Sequence, residues 1–264
     1  MYHLLPCYQA MAVITVLLLG SLTTEAQIIG FKQAQQATQL TPAQAQSIAN
    51  QTWLFTHASV GGNMLKGMNA LAREDADRYV FKIKSFNAQN QTGLDQLQSG
   101  CVYHASRGNP GWQKKYDIFD SLIRTANPSA TKLVAMDKLC YIDQSADAET
   151  YLNMMAKLEK DFPAITFVYT TIPIKSNKNR QNLQRQQYND TIRNYIRKKG
   201  GLLYDIADIE AHSPQGEAQT FKIDGKQCEA MCDSYTRDGG HLNDEGARQV
   251  ALGWYAVALA IAGK

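Results

Sequence analysis

The chain has little charge of either sign to spend on a charged partner. Its 264 residues carry 27 Lys and Arg against 24 Asp and Glu, a formal net of +3. That balance is too weak for phosphate-backbone recognition, so no nucleic-acid partner is expected. Long apolar runs are also scarce. The N-terminal run Ala10 to Leu22 is short of the ~20 residues a membrane span needs, and no other segment is expected to cross a bilayer. The five cysteines match no standard zinc spacing: Cys228, Cys232 and His241 do not form a finger or a ribbon, and no metal or cofactor is expected. No internal repeat and no domain linker is evident.

The apolar run sits at the N-terminus, and Thr24-Glu25-Ala26 follows it with a small residue before Gln27. This reads as a signal peptide over residues 1–26, despite a leading region without Lys or Arg. The expected location is secreted or periplasmic, with no stable membrane span after cleavage. Loss of Glu25 would raise the net charge by one. Residues 27–40 are Gln-rich and read as a flexible lead-in, leaving 41–264 as a single domain. Export favours disulfides, and Cys101, Cys140, Cys228 and Cys232 remain after cleavage. The three connectivities stay open. Cys228–Cys232 is favoured because the two share a short polar segment, with Cys101–Cys140 as the remainder.

Hydrophobic content of 44% suits a globule with a sizeable core. Thr41-Pro42 resembles an N-cap followed by proline at the first helical position. Strands are expected at 53–56, 79–83, 132–136, 164–170 and 202–204. Helices are expected at 60–72, around 118–123, at 147–160, 182–199 and about 243–262, and residues 209–237 read as polar and irregular. Strands and helices alternate. The expected fold is therefore α/β, a three-layer sandwich with a mostly parallel central sheet flanked by helices. In such sheets ligand chemistry gathers at the carboxyl ends of strands.

Two segments carry candidate chemistry. Asp238-Gly239-Gly240-His241-Leu242-Asn243 places an acid near an imidazole on a Gly-rich turn before the last helix. Thr56-His57-Ala58-Ser59-Val60-Gly61-Gly62-Asn63 places a hydroxyl on the turn between a strand and a helix. A serine hydroxyl is a poor nucleophile unless a base stands beside it, and these two segments offer both parts. Each has a plainer reading: Ser59 could cap the following helix, and His241 could be a polar residue at a helix entry.

The order of these segments over residues 50–262 resembles the SGNH, or GDSL, hydrolase family, whose fold is flavodoxin-like. Tyr188-Asn189 with Ile192 and Arg193, then Leu203-Tyr204-Asp205-Ile206, resembles the helix and strand that precede the family's DxxH. The nucleophile block reads His-Ala-Ser-Val-Gly instead of Gly-Asp-Ser, which is similar to a divergent branch. Lys138-Leu139-Cys140-Tyr141-Ile142-Asp143 occupies the place of the usual Gly-x-Asn-Asp block.

The resemblance implies Ser59 as nucleophile, His241 as base and Asp238 as its orienting acid. It implies an oxyanion hole built from the Ser59 amide and an amide near Gly108, with Lys138 or Asn63 standing in for the absent Asn. His57 is either a hydrogen-bond partner within the site or a half-buried residue at a strand end. Gly108-Asn109-Pro110-Gly111 is either the oxyanion loop or a surface turn. Lys175, Lys178, Arg180 and Arg185 read as a solvated basic face or a polyanion contact, and Asp143 and Asp205 as cleft residues or helix caps. The expected activity is a secreted serine esterase acting on a small ester, acetyl above all, or an acylated carbohydrate. Acyl transfer by the same triad, or a non-catalytic carbohydrate-binding or cell-surface module on the same fold, are the alternatives.

Overall fold

The computed structural model describes residues 25–86, 97–125 and 133–263. The expected signal segment lies outside these up to residue 24.

Seven parallel strands form one sheet, in the order β1-β7-β6-β5-β2-β4-β3. They are β1 (Ala26–Ile29), β2 (Thr52–His57), β3 (Lys82–Ser85), β4 (Cys101–Ser106), β5 (Leu133–Asp137), β6 (Thr166–Thr170) and β7 (Gly201–Tyr204). The register runs Trp53 beside Val102 on one side and Val134 on the other. Successive side chains on β2 point to opposite faces, as strand geometry requires. Trp53 and Phe55 join one buried cluster, and Leu54 joins the other.

The first cluster is covered by α1 (Phe31–Gln36), α2 (Pro42–Ile48), α3 (Ser59–Glu74), α7 (Ile206–Ala211) and α8 (Asp244–Ala262). The second lies under α4 (Trp112–Thr125), α5 (Ala148–Asp161) and α6 (Arg180–Lys199). The α/β three-layer sandwich expected from the alternation is the architecture observed. A two-stranded antiparallel hairpin, β8 (Thr220–Ile223) and β9 (Lys226–Glu229), stands apart from the main sheet. Among the described residues no helix is long and apolar enough to cross a membrane.

Residues 27–40 do not form a loose lead-in. Ile28 and Ile29 pair with Leu203 and Tyr204 of β7, and α1 follows at once. The Asp208 carboxylate accepts the Phe31 amide at 2.7 Å, which anchors the start of α1 from 177 residues away. Ala34, Ala37 and Leu40 are buried in the first cluster. The Gln-rich composition hid small residues at the positions facing the core.

The expected disulfides are also absent: Cys101, Cys140, Cys228 and Cys232 are all free and buried. Cys101 opens β4 on the second face, whereas Cys140 lies three residues beyond the far end of β5 on the first face. The sheet and its length separate them. Cys228 approaches the Lys226 carbonyl at 4.0 Å, and Cys232 turns toward the Ser234 hydroxyl at 3.4 Å.

The closest helix contact on the first face is between α3 and α8. A Cβ added at Gly67 would stand 2.1 Å from the Ala247 carbonyl oxygen and 3.0 Å from the Ala251 Cβ. Gly67→Ala must therefore push two helices apart against backbone. It should cost about 1–3 kcal/mol in urea unfolding, the usual scale of overpacking. A second outcome follows from the cysteines. Ellman's reagent without reductant should find residues 25–264 carrying four thiols after unfolding, and the native protein should protect them.

Candidate active site

Three strand ends and one helix entry converge at the carboxyl edge of the sheet. Ser59 lies two residues past β2, Gly108 two past β4, and Cys140 three past β5. The strand ends are laced together: the Arg107 amide donates to the His57 carbonyl at 2.9 Å, and the Lys138 amide to the Thr56 carbonyl at 3.2 Å. Asp137, fully buried, accepts from the Thr56 hydroxyl at 2.5 Å and from Arg107 at 2.7 Å. Burial pushes its carboxyl up, and the Arg107 charge opposes that.

Ser59 is the first residue of α3, and the helix cap is Ala58, whose side chain makes no capping bond. The serine is not a cap. Its hydroxyl is exposed, and its hydrogen-bond contact is the Cys140 Sγ at 3.7 Å. The Ser59 N–H is one of the helix's first amides, which have no intrahelical acceptor. Gly61 must be glycine, because an added Cβ would stand 2.3 Å from the His57 Cβ.

Asp238 and His241 are in direct contact, with Oδ2 and Nδ1 at 2.6 Å. Asp238 Oδ1 also accepts the Gly240 and His241 amides at 2.9 and 2.8 Å. The His241 side-chain bond and these amides hold the Asp238 carboxyl well below the usual carboxylate range. Gly239 has φ +81°, a left-handed turn that favours glycine. An ionised carboxylate at Nδ1 favours the proton on that nitrogen and leaves Nε2 as an acceptor. Asn243 closes the turn by accepting the Gly246 amide at 3.1 Å as the α8 cap.

Asn63, one turn after Ser59, accepts the Leu242 amide at 3.3 Å through Oδ1. It works as a strap between the serine helix and the histidine turn. Ser59 and His241 are thus brought to the same edge without hydrogen-bonding to each other. A groove of about 320 Å³ beside His241 is lined by Lys66, Arg237, Asp238, Leu242, Asn243 and Asp244.

Lys138 is fully buried and donates to the Leu139 carbonyl at 2.8 Å, so it offers no ammonium to the cleft. Burial pushes its pKa down, and the same burial pushes the nearby Glu210 carboxyl up. Gly108 has φ +65° on the exposed loop after β4. The loop is pinned by Lys115, which donates to Asn109 at 2.8 Å and to Asp143 at 2.5 Å. Asp143 accepts the Cys140 amide at 2.7 Å, so it shapes the turn after β5. Asp205 is spent elsewhere, capping α7 and pairing with Arg193 at 2.7 Å.

His57 is a buried strand-end residue. Its Nδ1–H donates to the Ala58 carbonyl at 3.1 Å, and its Nε2 meets His104 Nδ1 at 3.0 Å. Burial lowers its pKa to about 3, with the His104, Lys138 and Arg107 charges adding to that. The basic run splits up. Arg185 is buried rather than solvated and donates to the Tyr141 carbonyl at 2.7 Å, Arg180 pairs with Asp224, and Lys175 lies over the Tyr141 ring at 5.3 Å. Nothing in the sequence assigned Tyr141 a role, yet its hydroxyl stands 3.4 Å from both His241 ring nitrogens. Its position in the block that replaces Gly-x-Asn-Asp was the available signal.

No protein-family model matches the chain, and no curated protein matches it in sequence. Among solved structures it is similar to a GDSL-like lipase from Bacteroides thetaiotaomicron. That match has TM-score 0.51 and 12% identity, and covers 87% of this chain and 98% of the other. A proposed acylhydrolase from Bacteroides fragilis gives TM-score 0.48 at 11% identity, covering 83% and 89%. A proposed lipolytic protein of the G-D-S-L family from Desulfitobacterium hafniense gives 0.46 at 10%, covering 78% and 99%. The chain has the fold of a GDSL-like lipase, an α/β three-layer sandwich on a parallel sheet.

The buried neutral imidazole has a consequence for stability. As pH falls below ~6.5 the unfolded chain protonates His57 first, because the folded group resists until about pH 3. Its contribution is therefore present above pH 6.5 and is lost toward pH 3. In urea titrations at pH 7 and pH 5, wild type should lose about 1–2 kcal/mol relative to His57→Gln across that interval.

Proposed function

We propose that the protein is a serine ester hydrolase of the SGNH kind. The observation that carries this reading is the Asp238–His241 pair at 2.6 Å, strapped through Asn63 to the helix that begins with the exposed Ser59. In the reaction, Ser59 Oγ attacks the acyl carbon while His241 Nε2 takes its proton. Asp238 holds the imidazole by Nδ1 and stabilises the imidazolium. The developing oxyanion is met by the Ser59 amide, at the positive end of α3, and by the Gly108 amide. His241 then returns the proton to the leaving alcohol, and water releases the acid by the same steps in reverse order. Catalysis requires Ser59 to leave Cys140 and close on His241, a tightening common between free and substrate-bound sites.

The groove beside His241 is open and polar, which suits a small acyl group on an exposed alcohol. Acetyl esters of carbohydrate, met after export, are the substrate class we favour, and acyl transfer to a sugar hydroxyl uses the same residues. A non-catalytic carbohydrate-binding or cell-surface module is the second reading. It is favoured by one observation, the serine directed to Cys140 and not to the base.

The two readings differ in one measurement. A fluorophosphonate should label wild type covalently, and an ester panel should show turnover. Ser59→Ala should lose the label and at least ~10³-fold in turnover. Wild type that neither labels nor turns over any ester would leave the binding module.

A further inference from the structure

The hydrolase reading leaves the oxyanion with backbone donors alone, since Lys138 is buried against its own neighbour's carbonyl. The turn after β5 supplies another candidate. Cys140 touches the proposed nucleophile at 3.7 Å, and the next residue, Tyr141, touches the proposed base at 3.4 Å. Two consecutive residues therefore bracket the gap between Ser59 and His241, which is where a scissile acyl group must sit.

Resting on the hydrolase reading, we propose that the Tyr141 hydroxyl is a catalytic residue, a hydrogen-bond donor to the oxyanion in the place of the missing Asn. The hydroxyl is equidistant from His241 Nδ1 and Nε2, and Nδ1 is already held by Asp238 at 2.6 Å. The phenol's one remaining acceptor on the ring is Nε2, over a long contact of 3.4 Å, and from there its O–H can turn toward an oxygen that arrives between base and nucleophile.

The donor is pre-positioned. Arg185 holds the Tyr141 carbonyl at 2.7 Å. Asp143, itself paired with the buried Lys115, fixes the Cys140 amide at 2.7 Å. The ring meets the His241 ring edge-on, with centroids 5.3 Å apart at 83°. It also lies so close to Gly240 that an added Cβ would stand 2.8 Å from a ring carbon. Lys175 closes the ring from outside at 5.3 Å. A donor fixed before the reaction needs no reorganisation as charge develops, which is where oxyanion holes gain their effect. Burial, with the nearby Asp238 charge, pushes the phenol above its ordinary pKa, so it stays protonated and able to donate.

Tyr141→Phe keeps the ring and its packing and removes only the hydroxyl. With p-nitrophenyl acetate as probe, kcat should fall by ~10²–10³-fold while KM changes little. The acidic limb of the pH profile should stay where it is in wild type. A boronic acid that forms a tetrahedral adduct on Ser59 should bind weaker by a similar factor. Wild-type turnover in Tyr141→Phe overturns the assignment. So does a loss of turnover accompanied by a displaced acidic limb, which would make Tyr141 a positioning residue for His241. Wild type without fluorophosphonate labelling or turnover overturns this assignment together with the hydrolase reading. Labelling that Ser59→Ala abolishes, with Tyr141→Phe fully active, overturns the tyrosine role alone.

Discussion

The site depends on how closely α3 approaches α8. Each helix presents its N-terminus to the same edge of the sheet, one carrying Ser59 and the other entered through Asp238 and His241. Neither segment could find the other by its own hydrogen bonds, because the turns that hold them are closed locally. The helices must be packed at a fixed separation, and Gly67 against Ala247 and Ala251 sets it. The Asn63–Leu242 bond and the exposed Lys66–Asp244 pair at 2.6 Å then lock rotation at the site end. Of these, the packing dominates: surface ion pairs contribute ~0–1 kcal/mol, and a glycine set against the backbone of the facing helix has no rotamer through which to relax.

Beneath this edge lies an unusual concentration of buried charge. Asp137 with Arg107, and Lys115 with Asp143, are paired ions with almost no exposure. Such pairs rarely add stability over apolar packing of the same volume, because desolvation offsets their attraction. What they do here is fix loops that have no regular structure. Lys115 joins the loop after β4 to the turn after β5 through Asn109 and Asp143. Arg107 joins the same two segments through Asp137 and the Lys138 carbonyl at 3.1 Å. Loops gathered from three separate strand ends need this kind of cross-link, since apolar packing alone does not fix direction.

Much of the architecture was legible in the sequence. Helices 60–72, 147–160, 182–199 and 243–262 fall within a few residues of α3, α5, α6 and α8 because their apolar residues pack on the sheet, α3 and α8 on one buried cluster and α5 and α6 on the other. The strand β4 was not legible: Cys-Val-Tyr-His-Ala-Ser is short, polar at its end and set in a Gln- and Ser-rich stretch. Its identity comes from pairing with β2 and β3, which only the folded chain supplies. The hairpin β8–β9 did carry a signal, Asp224-Gly225, whose φ values of +51° and +72° are those of a tight two-residue turn. The contact between Asp238 and His241 is local and could be read from spacing. Those of Lys138, Tyr141 and Arg185 could not, because strand-end geometry decides which side chains are swallowed and which face out.

The convergence of two helix N-termini also bears on what chemistry the edge favours. At the start of α3 the Ser59 amide belongs to the set of helix donors left without intrahelical acceptors, and the helix dipole places partial positive charge there. An anion is stabilised at that point whether it is a substrate carboxylate held in place or an oxyanion that exists only transiently. The difference lies in the base. A binding site for anions has no use for an imidazole whose Nδ1 proton is fixed by an ionised carboxylate, because that arrangement leaves Nε2 as an acceptor, which repels a negative ligand. Asp238 holds His241 in that state with one side-chain bond and two backbone amides directed at its own oxygens. A basic nitrogen set beside an electropositive helix end is an arrangement suited to moving a proton away from a hydroxyl as negative charge forms next to it. The pairing thus speaks against a plain anion-binding role for this edge, even while Ser59 rests against Cys140.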